Sequence, residues 1–339
     1  MSVSWGILST ARVNSHVLAA AAKSDEFDFA AVASRDPARA EAYARDHGLE
    51  RAYGSYDELL EDRDLEAVYI SLPNSLHVDW TLRALAAGKH VLCEKPLSRV
   101  PHEVEEAFNL AESSGLLVAE GFMFRHHPQT RRLTELVAVG AVGQLRVVRA
   151  AFSFQLAEVH GPGDARFRPE LDGGSLMDVG CYCVNAIRLL AGEPRRVQAQ
   201  QVDGPSGVDV CVAATLAGDG DVLAHFDCGF VLPYRAQLEA VGDTGSLVVD
   251  DPWHIFSPGI ELRREKADAE LFAVEPADSY RVELENFSAA VRGEASPLLG
   301  RHDAVGQARV MDALYRSASA GVVVELEPHP QGAGRGSSA

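Results

Sequence analysis

Lys89-His90-Val91-Leu92-Cys93-Glu94-Lys95-Pro96 is a short apolar run that ends in a charged pair and a proline. It predicts a buried strand over residues 89–93, directly after a helix that ends at Gly88. In an open α/β sheet, ligands bind in the crevice outside the carboxyl ends of the strands. Lys95 is therefore placed where its charge can act on a bound ligand. A loop lysine in solvent explains this segment, taken alone, equally well.

The first 120 residues alternate between strand-like and helix-like segments around this strand. Asp36 is the expected N-cap of the second helix, with Pro37 as its first residue and Gly48 just beyond its end. Units of strand, helix and strand form a parallel sheet with right-handed crossovers. We therefore predict a doubly wound α/β Rossmann domain over residues 1–124. The predicted strands cover residues 3–8, 29–33, 67–72, 89–93 and 116–121.

The pattern changes after about residue 124. A long strand is predicted over residues 145–155, between helices over 129–139 and 175–190. Hairpin-length gaps between the later strand-like runs indicate an antiparallel sheet, so we predict an α+β domain over residues 125–327. We expect its last helix to pack back on the Rossmann domain and the Pro-, Gly- and Ser-rich tail, residues 328–339, to be disordered. The later runs cover residues 197–202, 208–216, 222–231, 237–241, 247–250 and 260–264, followed by helices near 280–292 and 303–318.

Composition and charge limit the class of protein. The 339 residues, 47% hydrophobic and 24% charged, are typical of a soluble globular chain long enough for two domains. No apolar run reaches the ~18–20 residues that span a bilayer, and the N-terminus lacks a signal-peptide pattern. The net charge of −18 argues against nucleic acid and against an anionic membrane surface as partners. An anionic cofactor would need local positive charge or helix N-termini.

The five cysteines are odd in number and lie scattered through apolar segments. This usage fits reduced thiols better than a disulfide framework, so we expect a cytoplasmic protein. Cys181 and Cys183 lack the spacing of a zinc or redox pair, and we predict no metal site.

The turn after the first strand is a candidate phosphate-binding loop. A Rossmann loop reads G-x-G-x-x-G, and its glycine positions fall here on Ser9, Ala11 and Asn14. These small residues still allow close backbone approach, and the N-terminus of the next helix can hold a pyrophosphate. An ordinary strand-to-helix turn is the alternative. The candidate cofactor residues of this turn are Ser9, Thr10, Ala11, Arg12 and Val13.

The end of the second strand bears on the choice between NADP and NAD. An NAD site places Asp or Glu there to bind the ribose, whereas this chain has Ser34 and Arg35, with Arg39 one turn further on. A hydroxyl and guanidinium groups suit a 2′-phosphate. Asp36 is the alternative ribose acceptor, but its place before Pro37 favours the N-cap role. We therefore predict NADP, with NAD the less favoured cofactor.

Ser71-Leu72-Pro73-Asn74-Ser75-Leu76-His77 follows the third of the longer predicted strands. A proline and an amide at the carboxyl end of a strand suit contact with a cofactor, so this segment supplies further candidates, Leu72, Pro73 and Asn74. His77 lies one turn into the next helix beside them. We expect its ring to hydrogen-bond the loop rather than to take part in chemistry.

Asp178 and Tyr182 lie four residues apart in an apolar segment that is predicted to be helical, so they share a face. Oxidation of an alcohol by hydride transfer needs a base for the hydroxyl proton, and a free tyrosine titrates near pH 10. A nearby lysine ammonium favours the phenolate, whereas burial opposes it. Lys95 and Tyr182 therefore form a candidate proton relay, with Asp178 orienting the substrate hydroxyl. A structural Tyr–Asp pair at a domain interface is the alternative.

Together these motifs resemble the glucose–fructose oxidoreductase/inositol dehydrogenase family, Gfo/Idh/MocA. The matching segments are residues 5–12, 71–77, 87–96 and 173–182. The resemblance implies a Rossmann domain followed by a domain with an open, mainly antiparallel sheet, whose outer face mediates homodimers or homotetramers. It also implies that Lys95 contacts substrate and cofactor, that its bond to Pro96 is cis, and that Glu94 lies at the cofactor.

The pair Asp178-x-x-x-Tyr182 is similar to one branch of that family. This branch contains glucose–fructose oxidoreductase, NADP-dependent D-xylose 1-dehydrogenases and dimeric dihydrodiol dehydrogenases, and it implies that Tyr182 is the acid–base residue. By the same resemblance, Phe124 and Arg125 face the cleft and contact substrate, and Arg166 approaches the cofactor or substrate.

The function expected from these features is NADP-dependent hydride transfer between nicotinamide and an aldose or related polyol. Oxidation of trans-dihydrodiols needs the same relay, and the sequence does not separate the two. A non-catalytic NAD(P)-sensing regulatory protein is a third hypothesis, disfavoured because Glu94, Lys95, Asp178 and Tyr182 occur together. Substrate identity is expected to depend on loops near residues 152–172 and 230–235.

Overall fold

The computed structural model describes residues 2–218 and 220–328. In its first sheet, every neighbouring pair of strands is parallel. The strands are β1 (Val3–Leu8), β2 (Phe27–Ala33), β3 (Arg51–Tyr53), β4 (Ala67–Ile70), β5 (His90–Glu94) and β6 (Val118–Gly121). Their order is β3-β2-β1-β4-β5-β6, so the direction of winding reverses between β1 and β4. This is the predicted doubly wound Rossmann arrangement, in which ligands bind at the reversal.

The helix that follows β2 has defined capping residues at both of its ends. Asp36 accepts hydrogen bonds from the N–H groups of Ala38 and Arg39, and Gly48 ends the helix at φ 71°, which confirms the predicted caps. The three-residue strand β3 was not predicted, because it is too short to show a periodic pattern. The helices are α1 (Asn14–Ala21), α2 (Pro37–His47), α3 (Tyr56–Leu60), α4 (His77–Ala86) and α5 (Pro101–Ser114).

The second sheet is open and mainly antiparallel, as predicted, with nine strands in the described residues. Its order is β14-β13-β12-β11-β7-β10-β9-β8-β15, and among these described strands only β10 and β7 pair in parallel. The strands are β7 (Leu145–Gln155), β8 (Arg196–Asp203), β9 (Asp209–Ala217), β10 (Leu223–Gly229), β11 (Val231–Gly242), β12 (Ser246–Asp250), β13 (Gly259–Arg263), β14 (Glu270–Ala273) and β15 (Val324–Glu325).

The boundary between β10 and β11 corrects the sequence-based assignment. Residues 222–231 were expected to form one strand, but the chain leaves the sheet at Phe230 and returns on the other side of β7. The apolar pattern continues through this crossing, since Phe230 is itself buried, and the sequence-based assignment placed no break at Gly229 directly before it. The long strand β11 is therefore paired with β7 on one edge and β12 on the other.

The helices after the Rossmann domain are α6 (Pro128–Ala138), α7 (Leu156–His160), α8 (Cys181–Ala191), α9 (Ser279–Val291) and α10 (Arg301–Ala320). They pack against the second sheet, except α9, whose Leu284 and Phe287 lie in the core of the Rossmann half. In α10, Ala304 and Ala308 pack in the core of the Rossmann sheet, whereas Met311 and Leu314 pack in the core of the second sheet. The last long helix thus packs against both sheets.

Three expectations about the chain as a whole stay predictions. These are the division of the chain at residue 124, the disordered tail, and assembly of several copies through the second sheet. Of the tail, only Pro328 belongs to the described residues. Within the described ranges, no helix is long and apolar enough to cross a membrane. No group of His, Cys, Asp and Glu side chains in the same ranges is arranged to hold a metal ion.

Candidate active site

A cleft of about 790 Å³ lies where the winding of the Rossmann sheet reverses. One wall is formed by the loops after β1, β4 and β5, and the other by residues 160–182 of the second half. Its size is within the range of small-molecule and cofactor sites. Fourteen of the predicted site residues line it: Thr10, Ala11, Arg12, Val13, Arg39, Leu72, Pro73, Asn74, His77, Glu94, Lys95, Arg166, Asp178 and Tyr182.

The turn after β1 is built from polar side chains in place of glycines. Ser9 adopts φ 122°, a conformation that glycine takes most easily. Its hydroxyl accepts a hydrogen bond from the N–H of Ala11 at 3.1 Å, and the buried Asn14 amide donates to its carbonyl at 3.0 Å. The hydroxyl of Ser71 donates to Oδ1 of the Asn14 side chain at 2.6 Å. Ser9 therefore supports the turn from behind and does not line the cleft.

Only one of the three residues predicted for the 2′-phosphate reaches the cleft. Arg39 lines it and donates to the carbonyl of Thr10 at 3.4 Å. Ser34 is buried and accepts the N–H of Asp36, and Arg35 lies beside the phenol of Tyr56. The Asp36 carboxylate is occupied as the cap of α2, as predicted.

Asp178 is held between two cations at the centre of the cleft. Nζ of Lys95 lies 3.0 Å from Oδ1 of Asp178 and 2.7 Å from its carbonyl oxygen, while Nη1 of Arg166 lies 3.0 Å from Oδ2. Burial by itself raises the pKa of Asp178, but Lys95 and Arg166 outweigh burial and hold that pKa below its usual value. Burial likewise opposes the charge on Lys95, and Asp178 more than offsets it, so the pKa of Lys95 is raised. Both groups are therefore charged at neutral pH.

Local backbone geometry puts these groups together. The Lys95–Pro96 peptide is cis, as the resemblance implied. The predicted helix over residues 175–190 instead opens with a π-helical turn, Leu176–Gly180, before α8 begins. Single π-helical turns are frequent at functional sites. This one brings both the carbonyl and the carboxylate of Asp178 within reach of Lys95.

Tyr182 closes the apolar side of the cleft. Its hydroxyl donates to Sδ of Met123 at 3.6 Å, and Nζ of Lys95 lies 4.9 Å from the centre of its ring. The ammonium therefore faces the ring of Tyr182, which places the two predicted relay residues side by side without a hydrogen bond between them. Burial, followed by the nearby Glu94, raises the pKa of Tyr182 well above its usual value, so the phenol is neutral.

The prediction that Phe124 and Arg125 face the cleft is wrong. Phe124 is fully buried and packs against Trp253, with ring centres 5.4 Å apart. Arg125 turns the other way and donates to Asp303 of α10 at 3.0 Å. The short 3₁₀ helix Met123–His126 directs these side chains into the interior. Periodicity could not show this, since the segment is too short for a pattern.

His77 and Glu94 fix the loops around Lys95. The ring nitrogens of His77 lie 2.9 Å from the carbonyl oxygen of Pro96 and 2.8 Å from that of Leu72, so the side chain bonds the loop as expected. Glu94 accepts hydrogen bonds from the Tyr69 hydroxyl and from the N–H of Lys95. Burial raises the pKa of Glu94.

Known proteins match the chain over both halves. The profile of an oxidoreductase family with an NAD-binding Rossmann fold, GFO_IDH_MocA, matches residues 4–122, and the GFO/IDH/MocA C-terminal domain matches residues 130–248. A D-xylose 1-dehydrogenase (NADP(+)) from Haloferax volcanii is 40% identical over 95% of this chain and 99% of its own. The chain belongs to the Gfo/Idh/MocA oxidoreductase family.

Two further proteins similar to this Gfo/Idh/MocA chain are named for other reactions. A trans-1,2-dihydrobenzene-1,2-diol dehydrogenase from Bos taurus is 35% identical over 74% of this chain and 75% of its own. The solved structure of KijD10, a 3-ketoreductase from Actinomadura kijaniata in complex with NADP and TDP-benzene, has a TM-score of 0.88 and 31% identity. That match covers 94% of this chain and 98% of KijD10. The chain is thus an oxidoreductase with the fold of this family.

A second compartment of this Gfo/Idh/MocA site was not predicted from the sequence. A cavity of about 290 Å³ adjoins the cleft and shares Lys95, Asp178 and Tyr182 with it. Aromatic and aliphatic side chains from β7, α7, the π-helical turn and β11 form its walls, together with two histidines. The sequence had predicted only that loops near residues 152–172 and 230–235 determine substrate identity, and His254 lies outside both ranges. The lining residues that the main cleft does not share are Phe152, Phe154, Val159, Val179 and Tyr234, whereas His160, Arg166 and His254 line both compartments.

A buried acid behind the cleft gives a testable dependence of stability on pH. Glu120 accepts the N–H of Leu97 at 2.7 Å, and burial raises its pKa from 4.5 to about 8. A raised carboxyl pKa gives stability that is complete below pH 4.5 and is lost as pH rises towards 8. Glutamine stays neutral at every pH. As pH rises from 4.5 to 8, we therefore expect the free energy of unfolding of Glu120→Gln to increase relative to that of wild type by about 1–4 kcal/mol, since each pKa unit is worth about 1.4 kcal/mol.

Urea unfolding of both proteins at several pH values measures this difference. Glutamine keeps the acceptor oxygen for Leu97, so the comparison isolates the ionisation of Glu120. A difference between the two proteins that does not change with pH would contradict the raised pKa.

Proposed function

We propose that the protein is an NADP-dependent oxidoreductase that transfers a hydride between nicotinamide and a carbinol carbon of an aldose or related polyol. The observation that carries this proposal is the grouping of Lys95, Asp178 and Tyr182 at the carboxyl edge of a Rossmann sheet, in one cleft. The name of the Haloferax volcanii relative, a D-xylose dehydrogenase with NADP(+), supports it.

The cleft fits an anionic dinucleotide although the chain carries a net charge of −18. Arg12, Arg39, Lys95 and Arg166 all line it, and the first turn of α1 stands at its edge. Helix N-termini and clustered guanidinium groups favour phosphates. Thr10–Val13 would hold the pyrophosphate, Arg39 the 2′-phosphate, and Pro73, Asn74 and Glu94 the nicotinamide half. The capping role of Asp36 supports NADP over NAD, because its carboxylate is already engaged by α2.

The side chains at the centre have distinct roles in the proposed reaction. Bound NADP would supply the hydride acceptor or donor of the reaction. Lys95, a permanent ammonium, donates a hydrogen bond to the reacting substrate oxygen, and Asp178 with Arg166 holds Lys95 in position. In reduction, the neutral phenol of Tyr182 gives its proton to the carbonyl oxygen and becomes a phenolate; in oxidation, the phenolate takes the hydroxyl proton and becomes the neutral phenol again.

A second candidate substrate class has an observation in its favour. Phe152, Phe154 and Tyr234 give the second compartment an aromatic wall, which suits the ring of a trans-dihydrodiol. The Bos taurus relative named for that reaction adds support. Both reactions use the same three central residues, so the choice between them depends on the second compartment.

Turnover assays with purified protein test the proposal. Reduction of NADP⁺ and of NAD⁺ is followed by absorbance over a panel of aldoses, inositols and trans-diols, and NADPH oxidation is followed with the matching carbonyl compounds. We expect turnover with NADP⁺ and an aldose. Bound NADP⁺ without turnover of any panel compound in either direction would contradict the proposal.

The contribution of Arg39 to cofactor choice can be measured separately. We expect Arg39→Ala to raise KM for NADP⁺ about ten- to a hundredfold and to leave KM for NAD⁺ nearly unchanged, because a hydrogen bond to a charged group contributes about 1.5–3 kcal/mol. Arg35→Ala is the matched control, since Arg35 lies beside Tyr56 and outside the cleft. Equal losses with both cofactors would show that Arg39 does not bind the 2′-phosphate.

Two properties of the whole protein complete the proposal. The exposed row Arg149, Leu223 and His225 on the outer face of the second sheet supports a homodimer or homotetramer formed there. All five cysteines are free, and four of them are buried, which supports a reducing cytoplasmic location.

A further inference from the structure

His254 projects into the active site from a loop with unusual backbone geometry. The loop joins β12 to β13, and Asp251 and Ile255 on either side of His254 adopt φ values of 62° and 56°. A β-branched residue in this region is a clear outlier, maintained only when its surroundings enforce it. The Asp251 carboxylate enforces it here by accepting the N–H groups of His254 and Phe256 at 3.3 and 2.8 Å.

Buried neighbours on both sides fix the direction of the His254 side chain. Trp253 is fully buried and donates to the carbonyl of Ala151 at 3.2 Å, and Ile255 is only 5% exposed. Since these two side chains point into the core, His254 points out of it, into the cleft. Its ring packs edge-on against Phe152 at 5.6 Å and lines both the main cleft and the second compartment.

The ring of His254 has hydrogen-bonding capacity that the protein does not use. Within residues 2–218 and 220–328, no group donates to or accepts from its nitrogens, and part of the ring is open to the cleft. Partial removal of the ring from water by its neighbours lowers the pKa of His254, so the imidazole is neutral near pH 7. A neutral imidazole has one donor and one acceptor nitrogen, as a sugar hydroxyl requires.

The charged side chains of the second compartment already form ion pairs with one another. Lys95, Asp178 and Arg166 bind one another, and the remaining walls are mostly aromatic and aliphatic. His160 and Tyr234 are the other polar side chains there. His254 and His160 both line the main cleft as well, but His160 stands at the end of the short helix α7, whereas His254 lies between two buried neighbours that fix its backbone.

We propose that His254 is a specificity-determining residue, whose imidazole hydrogen-bonds a substrate hydroxyl beyond the reacting carbon. The inference rests on the proposed function, since it assumes an aldose or polyol in this cleft. The ring carbons of the sugar pack against Phe152, and this substrate hydroxyl then lies within hydrogen-bonding distance of His254. His254 thereby favours substrates that carry the hydroxyl. Substrates that lack it lose the hydrogen bond and leave the imidazole unpaired in a partly desolvated site.

Monodeoxy analogues of the best aldose in the panel test this proposal. We measure kcat and KM for the parent sugar and each analogue with wild type, His254→Phe and His254→Gln. In wild type, we expect one analogue to have about tenfold lower kcat/KM than the parent, as for loss of one neutral hydrogen bond. In His254→Phe the parent should fall by about the same factor, chiefly through KM, and the difference between parent and analogue should disappear.

The variants separate a specific role from a general one. His254→Gln keeps a donor and an acceptor and should restore part of the discrimination, whereas His102→Phe, on exposed α5, should behave as wild type. Affinity for NADP, measured by fluorescence, should be the same in all of them. Unchanged discrimination in His254→Phe would overturn the inference while leaving the proposed function in place. Absence of wild-type turnover on every aldose would overturn the proposed function itself, and the inference with it.

Discussion

Replacing Tyr182 with phenylalanine is expected to lower kcat by about 10²–10⁴-fold, the usual contribution of a positioned acid–base group. The substitution removes one hydroxyl, whose only hydrogen bond in the described chain is the weak one to Met123. The ring keeps its aromatic neighbours, among them Phe122 at 5.7 Å and Trp253 at 5.8 Å. We therefore expect the free energy of unfolding to change by less than about 1.5 kcal/mol. Steady-state kinetics and urea unfolding measure the two quantities.

The pH dependence of wild type gives a second view of the same group. Because burial holds the pKa of Tyr182 above its usual value, the phenol is protonated near neutral pH and is ready to donate in reduction. Reduction should therefore be steady at neutral pH and fall in alkaline solution, while oxidation should increase as pH rises. Turnover of Tyr182→Phe at the wild-type level, or an unchanged pH profile in that variant, would remove Tyr182 from the mechanism.

Replacing Lys95 with alanine should have an effect of comparable size for a different reason. Lys95 supplies a fixed positive charge between Asp178 and the face of Tyr182, and loss of one such donor lowers kcat by about 10²–10³-fold. NADP affinity should largely survive, because Arg12 and Arg39 remain in the cleft. Kinetics and a fluorescence titration with NADP measure both quantities.

The stability of the Lys95→Ala protein checks the structural role of the ion pair. Asp178 would keep Arg166 at 3.0 Å, so its charge stays paired and we expect a loss of about 1–3 kcal/mol in unfolding free energy, less than for an isolated buried charge. Lys23→Ala, at an exposed pair with Asp278, is the matched control and should keep full activity.

If Lys95 and Tyr182 act as one unit, the double variant should be little slower than the slower single variant. Fully multiplicative losses would contradict that coupling.

Local chemistry explains what the sequence predicted well. The caps of α2, the long strand β7 and the helix α5 follow from patterns that neighbouring residues create, so periodicity and capping rules locate them. The carboxyl end of β5 places Lys95 in the cleft for the same reason, since every parallel strand presents that end at one edge. The grouping with Asp178 follows from family resemblance and not from local pattern.

Tertiary contacts explain what the sequence could not predict. The glycine positions at Ser9 and Asn14 looked degraded, but Ser71, far along the chain, completes a hydrogen-bonded turn with them. Phe124 and Arg125 point inward because Trp253 and Asp303, each more than a hundred residues away, receive them. His254 reaches the site through a positive-φ loop that no motif announces. For the turn at Ser9 and for Phe124 and Arg125, the deciding partner is distant in sequence, beyond the reach of any local pattern.

Transfer of deuterium tests the central claim, direct hydride transfer at this cleft, most directly. The best aldose of the panel is deuterated at the carbon that product analysis identifies as oxidised, and is incubated with NADP⁺ and the wild-type protein. Mass spectrometry of the reduced cofactor should show one deuterium per molecule, formed at least a hundredfold more slowly by Tyr182→Phe. Reduced cofactor without deuterium, or NADP⁺ that binds and is never reduced, would contradict the account.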